Sequence, residues 1–147
     1  MQVKAVINEK YKETEIHVCD KEATETVRTL MEDISNFVNP GLVVQKENGD
    51  KAVLNEKDVI SFYSEGQKVY ARTSDETYVI AKKLYELENE LNASVFFRIS
   101  KSEIINLKRI QKLDMSLSGT IRVIMKDGSE AYTSRRNVVR LKKVLGV

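Results

Sequence analysis

Two short clusters of hydrogen-bond donors stand out in the last third of the chain. The first is Ser100-Lys101-Ser102, between two apolar runs, and the second is Ser134-Arg135-Arg136-Asn137. Ammonium, hydroxyl and amide groups can donate to phosphate oxygens, and an arginine can also donate two parallel bonds to one base edge. The residue types in these clusters therefore favour binding of a polyanion over catalysis.

Charge is distributed unevenly along the chain. Residues 95–147 contain 12 Lys/Arg and 4 Asp/Glu, whereas residues 1–94 contain 12 Lys/Arg and 18 Asp/Glu, and the whole chain has a net charge of +2. A positive field concentrated on one part of a protein attracts polyanions such as nucleic acids. A solvated basic face that only keeps the protein soluble is the alternative interpretation.

Residues for catalysis or metal binding are scarce in this sequence. His17 is the only histidine and Cys19 the only cysteine. They share one face of a predicted strand, but two ligands are too few for a structural zinc site. The sequence also lacks a glycine-rich phosphate loop and a nucleophile-elbow pattern. We expect a protein that is not an enzyme and that uses no cofactor, metal or small-molecule substrate.

Length and composition limit the class of protein. The chain has 147 residues, of which 41% are hydrophobic, and it contains one proline and six glycines. These values predict one domain, or a domain with a small extension. No apolar run approaches the ~20 residues of a membrane span, and the first residues lack the apolar segment of a secretion signal. A single cysteine cannot form an intrachain disulfide, so a cytoplasmic location is the default expectation.

The first 41 residues are predicted to form a small β-β-α extension. Apolar residues alternate with polar ones near residues 3–7 and 16–18, and the polar segment between them predicts a hairpin turn. Apolar residues then recur at three- and four-residue steps over 27–38, which predicts a helix. The candidate helix signals are Asp20 or Thr24 as N-cap and Pro40-Gly41 as stop. We expect the apolar stripe to pack on the two strands, with a dimer contact as the alternative.

Residues 42–147 are predicted to form a mostly β, antiparallel fold with short helices, so the chain is α+β overall. Asn48-Gly49 and Asp127-Gly128 are strong signals for tight hairpin turns. Helical spacing predicts a helix over 81–92 and a closing helix over 138–145. The predicted strands are 42–44, 52–54, 59–63, 68–73, 77–79, 95–99, 104–107, 110–113, 120–125 and 131–133.

The part of the chain from about Val53 to Val147 resembles the LytTR domain, a bacterial DNA-binding module of transcription regulators. Hairpin residues 60–72 and the segment 78–91 support the resemblance only weakly. Its specific parts are Phe97-Arg98-Ile99-Ser100-Lys101-Ser102 with Ile105-Asn106-Leu107 and Ile110, and Asp127-Gly128 with Ser134-Arg135-Arg136. One departure is Ser100, where the family often has histidine, and it removes an imidazole donor from one loop.

The resemblance implies a fold in which loops, and not a recognition helix, enter successive major grooves of double-stranded DNA. Matched to the family, Lys101 and Arg136 fall where two loops contact bases, and the hairpin tip near Lys68 lies close to a third contact region. Ser102 and Asn137 fall at phosphate contacts. The complete set of candidate DNA-binding residues is Lys68, Ser100, Lys101, Ser102, Arg135, Arg136 and Asn137.

The resemblance also implies partners. Target sites in this family are usually paired promoter repeats, so we expect a homodimer on DNA. Residues 42–147 would be the DNA-binding domain and residues 1–41 a dimerisation or regulatory element. The chain is similar to the small stand-alone regulators of the family, for which a membrane-bound inhibitory protein is a common partner. The competing interpretation is a protein-interaction module that binds an acidic partner through its basic C-terminal face.

Overall fold

A computed structural model describes residues 8–10, 14–38 and 41–147 of the chain. The chain divides into two compact units, Met1–Pro40 and Gly41–Val147. The strand predicted at residues 3–7 and the proline of the predicted helix stop lie outside the described residues. Among the described residues, no helix combines the length and the apolar character needed to cross a bilayer.

The described part of the N-terminal unit contains the predicted helix, α1, over Glu25–Val38. Thr24 caps it, because its Oγ1 accepts a hydrogen bond from Val27 N at 3.3 Å. The strand predicted at residues 16–18 is wrong: strand backbone needs a neighbour, and no described residue pairs with this segment. The expected packing of the helix on the two strands stays a prediction: Val27, Leu30 and Ile34 of its apolar stripe are half-buried and Phe37 is 87% exposed, but the strand predicted at residues 3–7 lies outside the described residues.

Residues 41–147 form ten strands in two antiparallel sheets, which confirms the predicted fold class. The strands are β1 (Leu42–Gln45), β2 (Lys51–Leu54), β3 (Ser61–Glu65), β4 (Lys68–Arg72), β5 (Thr77–Ile80), β6 (Phe96–Ser100), β7 (Glu103–Asn106), β8 (Ile110–Asp114), β9 (Arg122–Met125) and β10 (Glu130–Tyr132). The larger sheet has the order β2-β1-β5-β4-β3-β7-β6, and the smaller one has the order β10-β9-β8. Each predicted strand of this unit overlaps one of these ten, with ends that differ by up to two residues.

Two helices complete the second unit. The closing helix, α3, spans Val138–Leu145 as predicted. The helix predicted over 81–92 is shorter, and α2 spans only Leu84–Glu90. Residues 81–83 form a bend instead of a helical turn, because Ile80 directly before them ends β5 and pairs with Val69 of β4. Strand pairing has overridden the helical spacing at this end.

The second unit has two hydrophobic clusters. One packs α2 against the large sheet, and Phe62 and Leu87 lie fully buried at its centre. The other contains Ile99 of β6, Val123 of β9 and Leu141 of α3, all of them fully buried. This second cluster holds the end of β6 against the small sheet and α3. Residues 100–102 lead from β6 into β7, and residues 134–137 lead from β10 into α3. The second hydrophobic cluster therefore holds in place the elements that carry both donor clusters.

Glu103 is a half-buried carboxyl at the start of β7. Burial raises the pKa of this group above its usual value of 4.5, and the Ser61 hydroxyl and the positive charge of Arg72 lower it only in part. A carboxyl whose folded pKa is raised favours folding when it is protonated. That contribution is present below the unfolded pKa and is lost as the pH rises through the folded pKa.

We therefore expect Glu103→Gln to raise the melting temperature at pH 7, where the wild-type carboxyl is ionised. The difference between the two proteins should shrink as the pH falls towards 4.5. Thermal unfolding followed by circular dichroism across this pH range measures it. A lower melting temperature for the variant at pH 7 would mean that the Ser61 hydroxyl and the charge of Arg72 together outweigh the cost of burial.

Candidate nucleic-acid interface

The first donor cluster forms the tight turn between β6 and β7, which we call the 100–102 turn (Ser100, Lys101, Ser102). Ser100 ends β6 and is half-buried, and its Oγ accepts a hydrogen bond from Ser102 N at 3.3 Å. The two serine hydroxyls lie 3.4 Å apart. Lys101 and Ser102 are exposed. The turn is thus closed by its own serines and presents the lysine ammonium to solvent.

The second donor cluster, which we call the 134–137 turn, leads from β10 into α3. Arg135–Asn137 forms one turn of 3-10 helix, and both arginines are exposed. Asn137 points inward: its Nδ2 donates to the carbonyl oxygens of Arg98 at 3.1 Å and Ile99 at 3.3 Å. Its Oδ1 accepts from Arg140 at 3.3 Å. The asparagine amide therefore ties this turn to β6.

The fold brings the two donor clusters together at one end of the large sheet. Ser134 N donates to the carbonyl oxygen of Ile99 at 3.0 Å, directly before the 100–102 turn. The β3–β4 hairpin joins at the same end, because Ser64 N donates to the carbonyl oxygen of Ser102 at 2.9 Å. The hairpin turns at Gly66, whose φ of 60° suits the first position of a two-residue turn.

Lys68 represents the third predicted contact region, at the tip of the β3–β4 hairpin. It is exposed at the start of β4 and lies opposite Glu65. All seven candidate residues are thus on three segments linked by backbone hydrogen bonds. The link to the hairpin comes from strand order, since β3 lies between β4 and β7. The three segments form one edge of the unit, which we call the loop edge.

The loop edge keeps its cationic groups available. Within residues 41–147, the recorded ion pairs use the cations of Lys82, Arg98, Arg109 and Arg122. None of those pairs involves Lys101, Arg135 or Arg136. Exposed, unpaired cations at one edge can be neutralised by phosphates of a polyanion, which is the source of salt-dependent binding to nucleic acids.

Arg98 on β6 is a residue whose role the sequence does not reveal. A strand arginine between apolar neighbours is expected to send its head into solvent, but this one is only 20% exposed. Its Nε donates to the carbonyl oxygen of Ser100 at 2.7 Å, and its Nη2 donates to that of Lys101. Its Nη1 lies 3.1 Å from Glu88 Oε2 of α2. Its partners are mostly backbone atoms, which carry no sequence signal.

His17 and Cys19 do not form a site with other described residues. Both are exposed, and they lie on a segment without regular structure, so they do not share a strand face. His17 Nε2 lies 2.7 Å from Glu15 Oε2. No group of three or more His, Cys, Asp or Glu side chains among the described residues could hold a metal ion.

Comparison with known proteins gives consistent similarities. A family model described as the LytTr DNA-binding domain matches residues 51–146. Proteins from Staphylococcus aureus strains MSSA476 and MRSA252, both described as uncharacterized HTH-type transcriptional regulators, are 31% identical over 147 residues, which is 100% of this chain and 99% of each relative. A solved LytTr DNA-binding domain of a Bacillus cereus methyl-accepting/DNA response regulator superposes with a TM-score of 0.68 at 21% identity, covering 72% of this chain and 96% of that one.

The described residues do not contain the helix-turn-helix that the description of the staphylococcal relatives names. A helix-turn-helix joins two helices by a turn of three or four residues. Here five strands separate α1 from α2, and another five separate α2 from α3. The described part of this chain therefore has no recognition helix of that type, and the loop edge is its strongest candidate surface.

Proposed function

This chain belongs to the LytTr DNA-binding domain family and is a DNA-binding transcription regulator, and we propose that it reads specific sequences in the major groove with its loops. The observation that carries the proposal is the loop edge, where the 100–102 and 134–137 turns are hydrogen-bonded to the end of one strand. Loops with exposed donors can enter a groove wide enough for an α-helix.

The donors of the loop edge suit different tasks on DNA. Arg136 carries a planar fork that can donate two parallel bonds to O6 and N7 of one guanine. Lys101 is a point charge that can serve either a guanine or a phosphate. Contacts to phosphates fix the position of the protein on the duplex. The residues suited to such contacts are Ser100, Ser102, Arg135 and Lys68. Asn137 already uses its amide within the protein, so we assign it the task of holding the 134–137 turn.

The proposal is tested by selecting duplexes from a random pool with the purified protein. We expect a recurrent sequence, bound with an affinity that falls steeply with salt and that survives competitor DNA. Retention of every sequence alike, weak at moderate salt, would contradict the proposal and would favour a module that binds an acidic protein partner instead.

Lys101→Ala is expected to weaken binding to the selected duplex about 3- to 10-fold and to reduce the salt slope by about one if the ammonium meets a phosphate. Binding titrations at several salt concentrations measure both quantities. Lys51→Ala is the matched control, because Lys51 is also exposed but lies on β2, at the far side of the large sheet from β6. Equal effects of the two substitutions would remove Lys101 from the interface.

The proposal extends to two protomers on paired repeats, with residues 1–41 as a dimerisation or regulatory element. The exposed apolar side chains of α1, Met31 and Phe37 among them, support a role of this helix in protein contacts. A cytoplasmic location and the absence of catalytic activity belong to the same proposal. The membrane-bound inhibitory partner is an expectation that rests on the family resemblance alone.

A further inference from the structure

We propose that Arg98 is a positioning residue that sets how well the 100–102 turn discriminates between DNA sequences, and that Glu88 of α2 holds Arg98 in place. Arg98 would do so without contacting DNA. The inference rests on the proposed function, because it assigns the cause of sequence discrimination by the loop edge.

The side chain of Arg98 binds the turn at two successive carbonyl groups. Separate nitrogens of its guanidinium donate to the carbonyl oxygens of Ser100 and Lys101, and a third faces the Glu88 carboxylate. The guanidinium is a rigid plane with its donors in a fixed fork. Three partners on one rigid plane fix the orientation of the turn backbone relative to α2. The direction in which Lys101 leaves that backbone is fixed with it.

The backbone of the same strand end holds the other turn. The carbonyl oxygen of Arg98 accepts from Asn137 Nδ2 at 3.1 Å. The next carbonyl oxygen, of Ile99, accepts from Asn137 Nδ2 at 3.3 Å and from Ser134 N at 3.0 Å. One strand end therefore sets the distance between the two turns. Base reading needs donors held to within about 0.5 Å, which supporting hydrogen bonds provide.

Arg98 also has few donors left for DNA. Its Nε, Nη1 and Nη2 each have a partner inside the protein, and its side chain is only 20% exposed. A phosphate contact would therefore compete with bonds that shape the turn. Loss of the guanidinium fork should thus lower discrimination between sequences more than it lowers general attraction to DNA.

Arg109 is a matched control within the same unit. Its Nε and Nη2 both donate to the carbonyl oxygen of Lys57, at 3.1 and 2.6 Å, and its Nη2 lies 3.7 Å from an Asp58 carboxylate oxygen. It follows the end of β7, whereas the 100–102 turn precedes the start of that strand. Arg109 thus has the same kinds of bonds without supporting the loop edge.

The experiment compares full-length Arg98→Lys, Glu88→Gln and Arg109→Lys with the wild type on two duplexes. One duplex is the sequence that the wild-type protein selects from a random pool, and the other is a scrambled duplex of the same composition. Arg98→Lys keeps the charge but loses the fork. Glu88→Gln replaces the charge-assisted bond to Arg98 with a weaker neutral one. It also removes a negative charge, so it strengthens sequence-blind attraction to DNA. Melting curves monitor folding of each variant.

We expect both Arg98→Lys and Glu88→Gln to lower the ratio of the two affinities about tenfold, since each loses a charge-assisted hydrogen bond. The salt slope on the scrambled duplex should be unchanged for Arg98→Lys. For Glu88→Gln, affinity for the scrambled duplex should equal or exceed that of the wild type. Arg109→Lys should keep the ratio within about twofold.

An unchanged ratio in Arg98→Lys, or a ratio lowered equally by Arg109→Lys, would overturn the positioning role. If Arg98→Lys does not fold, Glu88→Gln decides, because Glu88 is exposed on its helix. Equal gains of Glu88→Gln on both duplexes would show a purely electrostatic effect and overturn the inference. A wild type that selects no sequence overturns the proposed function as well, so the two failures are distinguishable.

Discussion

Arg136→Ala is expected to weaken binding to the selected duplex by about 1–3 kcal/mol and to relax the preference at one base pair. The guanidinium of Arg136 is exposed on the 134–137 turn and takes part in none of the recorded ion pairs of residues 41–147. Its whole donor fork is thus available to one guanine. Affinity measurements on duplexes that differ at single positions reveal the lost preference.

Arg136→Lys separates base reading from general attraction. The lysine keeps the charge, so the salt slope should stay unchanged, but a point charge cannot make the two parallel bonds of the guanidinium. We expect the preference at the same base pair to relax in this variant too. If both variants discriminate every base as the wild type does, Arg136 does not read a base.

Asn106→Ala is expected to destabilise the folded protein by about 2–4 kcal/mol. Asn106 is only 1% exposed at the end of β7. Its Nδ2 donates to the carbonyl oxygen of Val59 at 2.9 Å, and its Oδ1 accepts from Lys108 N at 3.0 Å. Alanine leaves the carbonyl oxygen of Val59 and the backbone N of Lys108 without these partners. The Val59 carbonyl carries the larger cost, because Val59 is fully buried. Urea unfolding followed by circular dichroism measures the change.

Asn55→Ala is the matched control for this effect. Asn55 Oδ1 accepts from Lys57 N at 3.1 Å, so each asparagine accepts from the backbone N two residues after it. Unlike Asn106, Asn55 is exposed. Water can replace the lost partner there, so we expect a cost of only about 0.5–1 kcal/mol. Equal costs at the two positions would mean that burial does not determine the contribution of Asn106.

The strands of the second unit are predictable from the sequence because turn residues separate short apolar runs. Gly49 and Gly128 adopt φ values of 93° and 83°, which other residues rarely adopt, so their positions identify the hairpins. The start of α2 is harder to predict, because the four-residue spacing from Ile80 to Leu84 suits a helix whereas Ile80 pairs with Val69 on the neighbouring strand. Periodicity alone cannot decide between helix and strand at such a residue, because strand pairing depends on a partner that lies elsewhere in the sequence.

The chemistry of the loop edge is readable from residue types, but its assembly is not. The bond from Ser134 N to Ile99 O joins two backbone atoms, which no side chain signals. From its residue type, an asparagine beside two arginines could bind either a phosphate or the protein's own backbone. Only the fold shows that Asn137 points inward and binds the backbone. Arg98 is hidden for the same reason, because its partners are carbonyl groups and a glutamate from another element.

Guanine methylation protection tests the central claim most directly, because dimethyl sulfate modifies guanine at N7, on the major-groove edge of the base. We expect wild-type protein on its selected duplex to protect guanines in successive major grooves, and Arg136→Ala to lose protection at one guanine while retaining the others. Protection confined to adenine N3 in the minor groove, or an identical pattern for the wild type and the variant, would contradict reading of the major groove by the loop edge.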